Sequence, residues 1–256
     1  MWAFILGGSS GLGLATAKEL AKKGTDLLLV HRDGRIATKT FSDEVEQLMK
    51  EYSIKIKTLN VNANTDEGKE QIKSWLGSIE KQTIKYFIHS VADGHIKPLF
   101  SNETPTLSEE DILYTLNSMG VSFVTWSQWL FANNLFAPKT KIFSFTSMGS
   151  QRTIPHYAAV GAAKAVLETM CRYMAYELAP YNISVNLLCA GVVPTKAIRV
   201  FPEVEKFIDE IKGKNPYHRL TTPEDVAKLL VALSSDETTW LTGQVIPIDG
   251  GEGNVY

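Results

Sequence analysis

The chain has very little cysteine, no surplus of either charge and no long apolar run, and each shortage removes a class of protein. Cys171 and Cys189 are the only 2 cysteines in 256 residues. That is too few for a disulfide framework or a cysteine zinc site, so a reducing cytoplasm is the expectation. Lys and Arg number 26 against 28 Asp and Glu, a net charge of −2, which offers no basic surface to nucleic acid or an anionic membrane. No apolar run nears the roughly 18 residues of a membrane-spanning helix. The opening Met1–Leu6 lacks the basic flank and small-residue cleavage site of a secretory signal. The histidines, at 31, 89, 95, 156 and 218, show no ligand spacing, so no metal site is expected. Repeats, low-complexity tracts and linkers are missing as well. One domain over 1–256 is the economical reading, and 44% hydrophobic residues are ample for a sizeable core.

What is present is a regular alternation of apolar runs and amphipathic segments. Trp2–Leu6 is short, apolar throughout and stopped by glycine, which predicts a strand buried on both faces. A helix is expected from about Leu12 to Lys23, a strand at Leu27–Val30, a charged helix at Phe41–Glu51 and a strand at Ile54–Val61. Asp66–Ile79 reads as a helix, Tyr86–His89 and Lys141–Thr146 as central strands, and Ser108–Phe136 as helical. Tyr157–Leu178 is the longest helix, followed by a strand at Ser184–Cys189, a helix at Pro223–Leu233 and a strand at Gln244–Ile248. This rhythm predicts a single-domain α/β fold: a doubly wound, Rossmann-like parallel sheet with helices on both faces. Ligands of such sheets sit at the carboxyl ends of the strands, which directs attention to loops 7–13, 31–35, 60–64, 90–99, 147–156 and 190–215.

The first of these loops is Gly7-Gly8-Ser9-Ser10-Gly11-Leu12-Gly13, and it opens directly into a helix. Glycines let the backbone turn tightly and approach a pyrophosphate, whose charge then meets the helix N-terminal amides. The second strand ends His31-Arg32-Asp33. An acidic residue at that tip would accept from the ribose 2′-hydroxyl of NAD, whereas Arg favours the 2′-phosphate of NADP. His31 and Arg32 precede Asp33, so NADPH is expected rather than NADH.

None of the 9 tyrosines has Lys four residues on, and only Tyr157 has one seven on, at Lys164. Seven residues at 100° fall about 20° short of two full turns, so the pair shares a helix face, roughly 10 Å apart along the axis. Gly-x3-Gly-x-Gly resembles the short-chain dehydrogenase/reductase family, and Tyr-x6-Lys within it resembles the enoyl-acyl carrier protein reductases. The segment Ser147-Met-Gly-Ser-Gln-Arg152-Thr-Ile-Pro-His-Tyr157-Ala-Ala-Val-Gly161-Ala-Ala-Lys164 is similar to their active-site segment. Ile88-His89-Ser90 resembles their fourth-strand ending. Ala190-Gly191-Val192-Val193-Pro194-Thr195 resembles the turn that contacts the nicotinamide, and the likeness covers essentially the whole chain.

The resemblance implies reduction of the carbon–carbon double bond of trans-2-enoyl thioesters, carried on acyl carrier protein, in fatty-acid or polyketide assembly. It implies Tyr157, Lys164 and Ser147 as catalytic residues. It also implies a cofactor held by the 7–13 loop, His31, Arg32, Asn60-Val61 against adenine, Ser90, Val91, Ala92, Asn117, Lys164, Gly191, Val193 and Thr195. It further implies a substrate lid at 195–215, where Phe201, Val204, Phe207, Ile208 and Ile211 make an apolar face, and a homotetramer through the helices around 108–136 and 157–178. Ser147 stands where many enoyl reductases carry a second tyrosine, and Ser147 and Asn117 also fit the ketone-reducing relatives. A carbonyl reductase such as a 3-ketoacyl reductase therefore stays open beside the enoyl reductase, and a non-catalytic NADP-binding protein beside both.

Overall fold

The computed structural model describes residues 1–195 and 204–255. Seven strands, β1 (Trp2–Leu6), β2 (Asp26–His31), β3 (Ile56–Asn60), β4 (Ile84–His89), β5 (Phe136–Ser147), β6 (Ser184–Ala190) and β7 (Val245–Ile248), form one sheet in the order β3-β2-β1-β4-β5-β6-β7. Every pairing is parallel. All the strand carboxyl ends therefore lie along one edge, and the direction of winding reverses between β1 and β4. Among the described residues the α-helices are α1 (Gly11–Lys22), α2 (Arg35–Tyr52), α3 (Asp66–Gly77), α4 (Glu109–Leu116), α5 (Ser122–Ala132), α6 (Ala158–Leu178), α7 (Val204–Lys214) and α8 (Pro223–Leu233).

Burial on both sheet faces explains the unbroken apolar strands. Phe4 and Leu6 of β1 join Phe87, Phe123, Trp126 and Leu167 in one core layer. Their neighbours Ala3 and Ile5 join Leu20, Leu27, Phe143, Val226 and Leu230 in the other. Trp126 is thus a core residue, edge-on to Phe4 and Trp129. Cys171 and Cys189 are buried, and burial raises their thiols to about 12 and about 11, so both are inert packing groups.

Three departures from the sequence expectation go beyond a residue or two at an element's end. Helix α2 starts at Arg35 rather than Phe41; its first turns have no buried face, Ile36 being 87% exposed, so no apolar period announces them. Strand β5 starts at Phe136 rather than Lys141. The stretch expected to be helical around 108–136 is split by a π-helical turn at Asn117–Val121, which inserts a residue and rotates the helix face. Residues 196–203 of the expected lid, Phe201 among them, lie outside the described residues. The remainder forms α7, where Phe207, Ile208 and Ile211 are half-buried and the residues between them exposed.

Candidate active site

At the sheet edge the glycine loop runs from β1 into α1. Gly7 has φ +84°, and a Cβ there would overlap the Ser90 carbonyl; a Cβ on Gly13 would overlap the Gly7 carbonyl. Side chains are thus excluded on steric grounds, leaving a cradle lined by backbone. Ser10 occupies the N-cap of α1 without capping it through its side chain, and the first turn carries no acidic residue. The leading amides are left without an internal anion, which suits a pyrophosphate. Leu12 and Val193 are half-buried and pack against the core. Ser90 donates its amide to Leu6 at 2.8 Å and Thr195 approaches Gly11. The loops after β4 and β6 therefore close on the glycine loop from both sides.

At the outer end, Asn60 bridges to the loop after β2: its Oδ1 accepts from the Asp33 amide at 3.0 Å and its Nδ2 donates to the Asp33 carbonyl at 2.9 Å. Val61 packs on the core and Ala92 is exposed. His31 is buried, lies edge-on to Phe41, and bonds Asp33 through Nδ1 at 2.8 Å. The structure thus turns His31 away from the role of phosphate ligand and leaves Arg32 as an exposed cation of this corner.

The inner end holds the reacting groups. Tyr157 is the N-cap residue of α6 rather than part of its first turn, and its hydroxyl lies 3.3 Å from Ser147 Oγ at the tip of β5. Burial raises the Tyr157 phenol above its ordinary value, with the Ser147 hydroxyl opposing, so the phenol is a proton-bearing donor at neutral pH. His156 before it has φ +63°, a left-handed conformation uncommon outside glycine. A Cβ on Gly149 would overlap the Tyr157 ring, and one on Gly161 would meet the Gly149 carbonyl at 2.5 Å. Gly161 stands at the +4 position that carries Lys in the commoner family form, and here no side chain fits.

Lys164 is buried and donates from Nζ to the Phe145 carbonyl at 2.8 Å. Burial brings its ammonium down to about 8, with Glu168, one turn on, opposing. Glu168, which sequence reasoning missed, is itself buried and accepts from Thr146 Oγ1 at 2.6 Å and Ser150 Oγ at 2.7 Å. It ties both sides of Ser147 to α6. His89 is also buried; its ring bonds Ser122 at 2.7 Å, and burial together with the Lys164 charge lowers it to about 3, so it is neutral. Met119, Val160 and Ala163 form a small buried apolar cluster, against which Ile96, Leu116 and Tyr157 pack. Asn117 does not join this group. The π-helical turn buries Ser118 and Ser122 and leaves Asn117 exposed.

A strand-end glycine cradle, an uncapped helix start and a Ser–Tyr hydroxyl pair with a buried Lys behind it are the parts of a dinucleotide-dependent redox site. The family model described as Enoyl-(Acyl carrier protein) reductase matches residues 7–252. The chain belongs to this family of short-chain dehydrogenases/reductases. It is a nicotinamide-dependent oxidoreductase. Among relatives, the enoyl-acyl-carrier-protein reductase (NADH) of Escherichia coli strain K12 is 25% identical over 226 residues, covering 87% of this chain and 85% of the relative. The 1-cyclohexenylcarbonyl-CoA reductase of Streptomyces collinus is 27% identical, covering 97% and 85%. The crystal structure of the enoyl-acyl-carrier-protein reductase (NADH) from Aquifex aeolicus VF5 superposes with a TM-score of 0.79 at 23% identity, covering 98% of this chain and 96% of that one, a likeness of fold. Among the described residues, no helix is long and apolar enough to cross a membrane, and no cluster of three or more His, Cys, Asp or Glu could hold a metal ion.

Proposed function

We propose that this reductase saturates the carbon–carbon double bond of trans-2-enoyl thioesters borne on acyl carrier protein, with NADPH as its preferred donor, in fatty-acid or related polyketide assembly. The observation that carries this reading is the Ser147–Tyr157 hydroxyl pair at 3.3 Å, with Tyr157 packed beside Ile96 and Leu116 on the apolar cluster of Met119, Val160 and Ala163. That apolar flank suits an acyl chain, and the hydroxyls suit an oxygen that gains charge. The glycine cradle would hold the pyrophosphate, Asn60 and Val61 the adenine end, and Arg32 a 2′-phosphate. Gly191, Val193 and Thr195 would border the nicotinamide. The bound cofactor supplies the hydride, which goes to the β-carbon.

Tyr157 donates a hydrogen bond to the thioester oxygen as an enolate charge develops there, and Ser147 supports it. Lys164 adds a fixed positive charge behind that oxygen and holds the nicotinamide ribose. The α-carbon then takes a proton from solvent or through the Tyr157 hydroxyl. Segment 195–215 serves as the lid over the acyl chain, and the active form is a homotetramer.

Carbonyl reduction is the second reading, favoured by Ser147, since a hydroxyl pair also suits a ketone oxygen. Cofactor oxidation, read as loss of near-ultraviolet absorbance, separates the two. Crotonyl and 3-ketoacyl thioesters are offered in parallel, on acyl carrier protein and on coenzyme A, with NADPH and with NADH. Oxidation with the enoyl thioester alone is expected. Oxidation with the keto thioester alone overturns the first reading.

A further inference from the structure

Arg32 leaves β2 with a side chain 56% exposed, and its Nη1 donates to Asp93 Oδ2 at 3.0 Å. The same carboxylate oxygen accepts from Asn64 Nδ2 at 3.0 Å and from the Tyr114 hydroxyl at 2.6 Å. The Asp93 backbone is held as well, its carbonyl accepting from Ser118 Oγ. One carboxylate thus joins the loops after β2, β3 and β4 to α4, at the corner where a fold of this strand order places the adenosine ribose. Asp33, the acidic residue that follows the β2 tip, is engaged by His31. Asp93 is therefore the carboxylate positioned to meet whatever Arg32 meets.

We propose that Asp93 determines how far this chain discriminates NADPH from NADH. The inference rests on the assignment of Arg32 to the 2′-phosphate. A 2′-phosphate on the Arg32 guanidinium would share that cation with the Asp93 carboxylate, and two like charges a few ångströms apart repel. Asp93 thereby offsets the advantage that Arg32 gives to NADPH, and it offers a ribose 2′-hydroxyl an acceptor when the phosphate is absent. The arrangement reconciles a basic β2 tip with relatives whose names specify NADH.

The test is the pair of dissociation constants for NADPH and NADH, measured by calorimetric titration on the wild type, Asp93→Asn, Arg32→Ala and Tyr114→Phe. Asp93→Asn is expected to tighten NADPH by about fivefold while NADH stays level or weakens, as for removal of one like charge near the surface. Arg32→Ala is expected to weaken NADPH by about tenfold and to spare NADH, the size of a lost charge-assisted bond to phosphate. If Arg32→Ala collapses the preference but Asp93→Asn leaves the ratio unchanged, Asp93 has no part in specificity and the Arg32 assignment stands. If Arg32→Ala leaves the ratio unchanged, the Arg32 assignment itself fails. Tyr114→Phe removes a hydrogen bond without changing charge and is expected to leave the ratio alone. A shift there as large as in Asp93→Asn would assign the effect to loop order and overturn the proposal.

Discussion

At the scale of single residues the site depends on two groups whose protonation burial controls. Burial keeps Tyr157 a phenol, so its contribution is a donated hydrogen bond. Tyr157→Phe is expected to lower kcat by about 100-fold or more, the usual effect of losing a donor to a developing oxyanion, with cofactor affinity retained. Steady-state kinetics beside a cofactor titration checks this, and undiminished turnover would remove Tyr157 from the mechanism. Lys164, brought down by burial to about 8, carries its charge below that pH and loses it above. Its hold on the cofactor ribose is therefore expected to be full near neutrality and to fade as pH rises through about 8. Lys164→Arg keeps the charge to higher pH, so the decline in cofactor affinity should vanish in that variant. A decline identical in both would locate the titration elsewhere.

At the scale of elements, the start of α6 and the tip of β5 act as one unit. Gly149 lies under the Tyr157 ring with no room for a methyl group. Gly149→Ala must displace the ring, and a loss of roughly tenfold or more in kcat is expected, since small misplacements at a reacting centre are costly. Cofactor affinity should change little, and equal losses in both would mean a general unfolding of the site. Glu168 joins Thr146 and Ser150 across the same junction. Glu168→Ala orphans the buried Thr146 hydroxyl and is expected to cost about 1–3 kcal/mol. Glu168→Gln, which keeps an acceptor, should lose visibly less. Thermal melts of the two variants decide, and equal losses would deny the hydrogen bonds their part. The π-helical turn belongs to this scale too: it buries Ser118 and Ser122 and leaves Asn117 exposed.

At the scale of the whole molecule, the helices outside the sheet leave apolar surface uncovered. Leu113 in α4, Phe131 in α5, and Met170, Tyr173 and Tyr176 in α6 are exposed, Tyr176 at 82%. Exposed apolar groups on neighbouring helices are what a subunit interface would cover, in keeping with the proposed tetramer. Sedimentation of the wild type is expected to give four times the 28.4 kDa chain mass. Tyr176→Glu is expected to shift the population toward smaller species, since a charge at an apolar interface is left unpaired. A monomer in the wild type would end the tetramer reading.

The sequence by itself determined the parallel α/β architecture and the glycine turn after β1, and it singled out Tyr157 and Lys164, because each is written in local spacing. Apolar strands bounded by glycine, helical periods and a seven-residue interval are properties of contiguous chain. Helix α8 falls at Pro223–Leu233 as expected because its capping box, Thr222 with Asp225, is local as well. The tertiary structure alone decided which side chains converge. Arg32 and Asp93 meet across 61 residues because strand order sets β2 and β4 on either side of β1. Glu168 reaches Thr146 because β5 and α6 pack together, and His31 turns inward because Phe41 and Asp33 engage it. Such contacts follow from sheet register and helix phase, which depend on the packing of distant segments and leave no period in the chain.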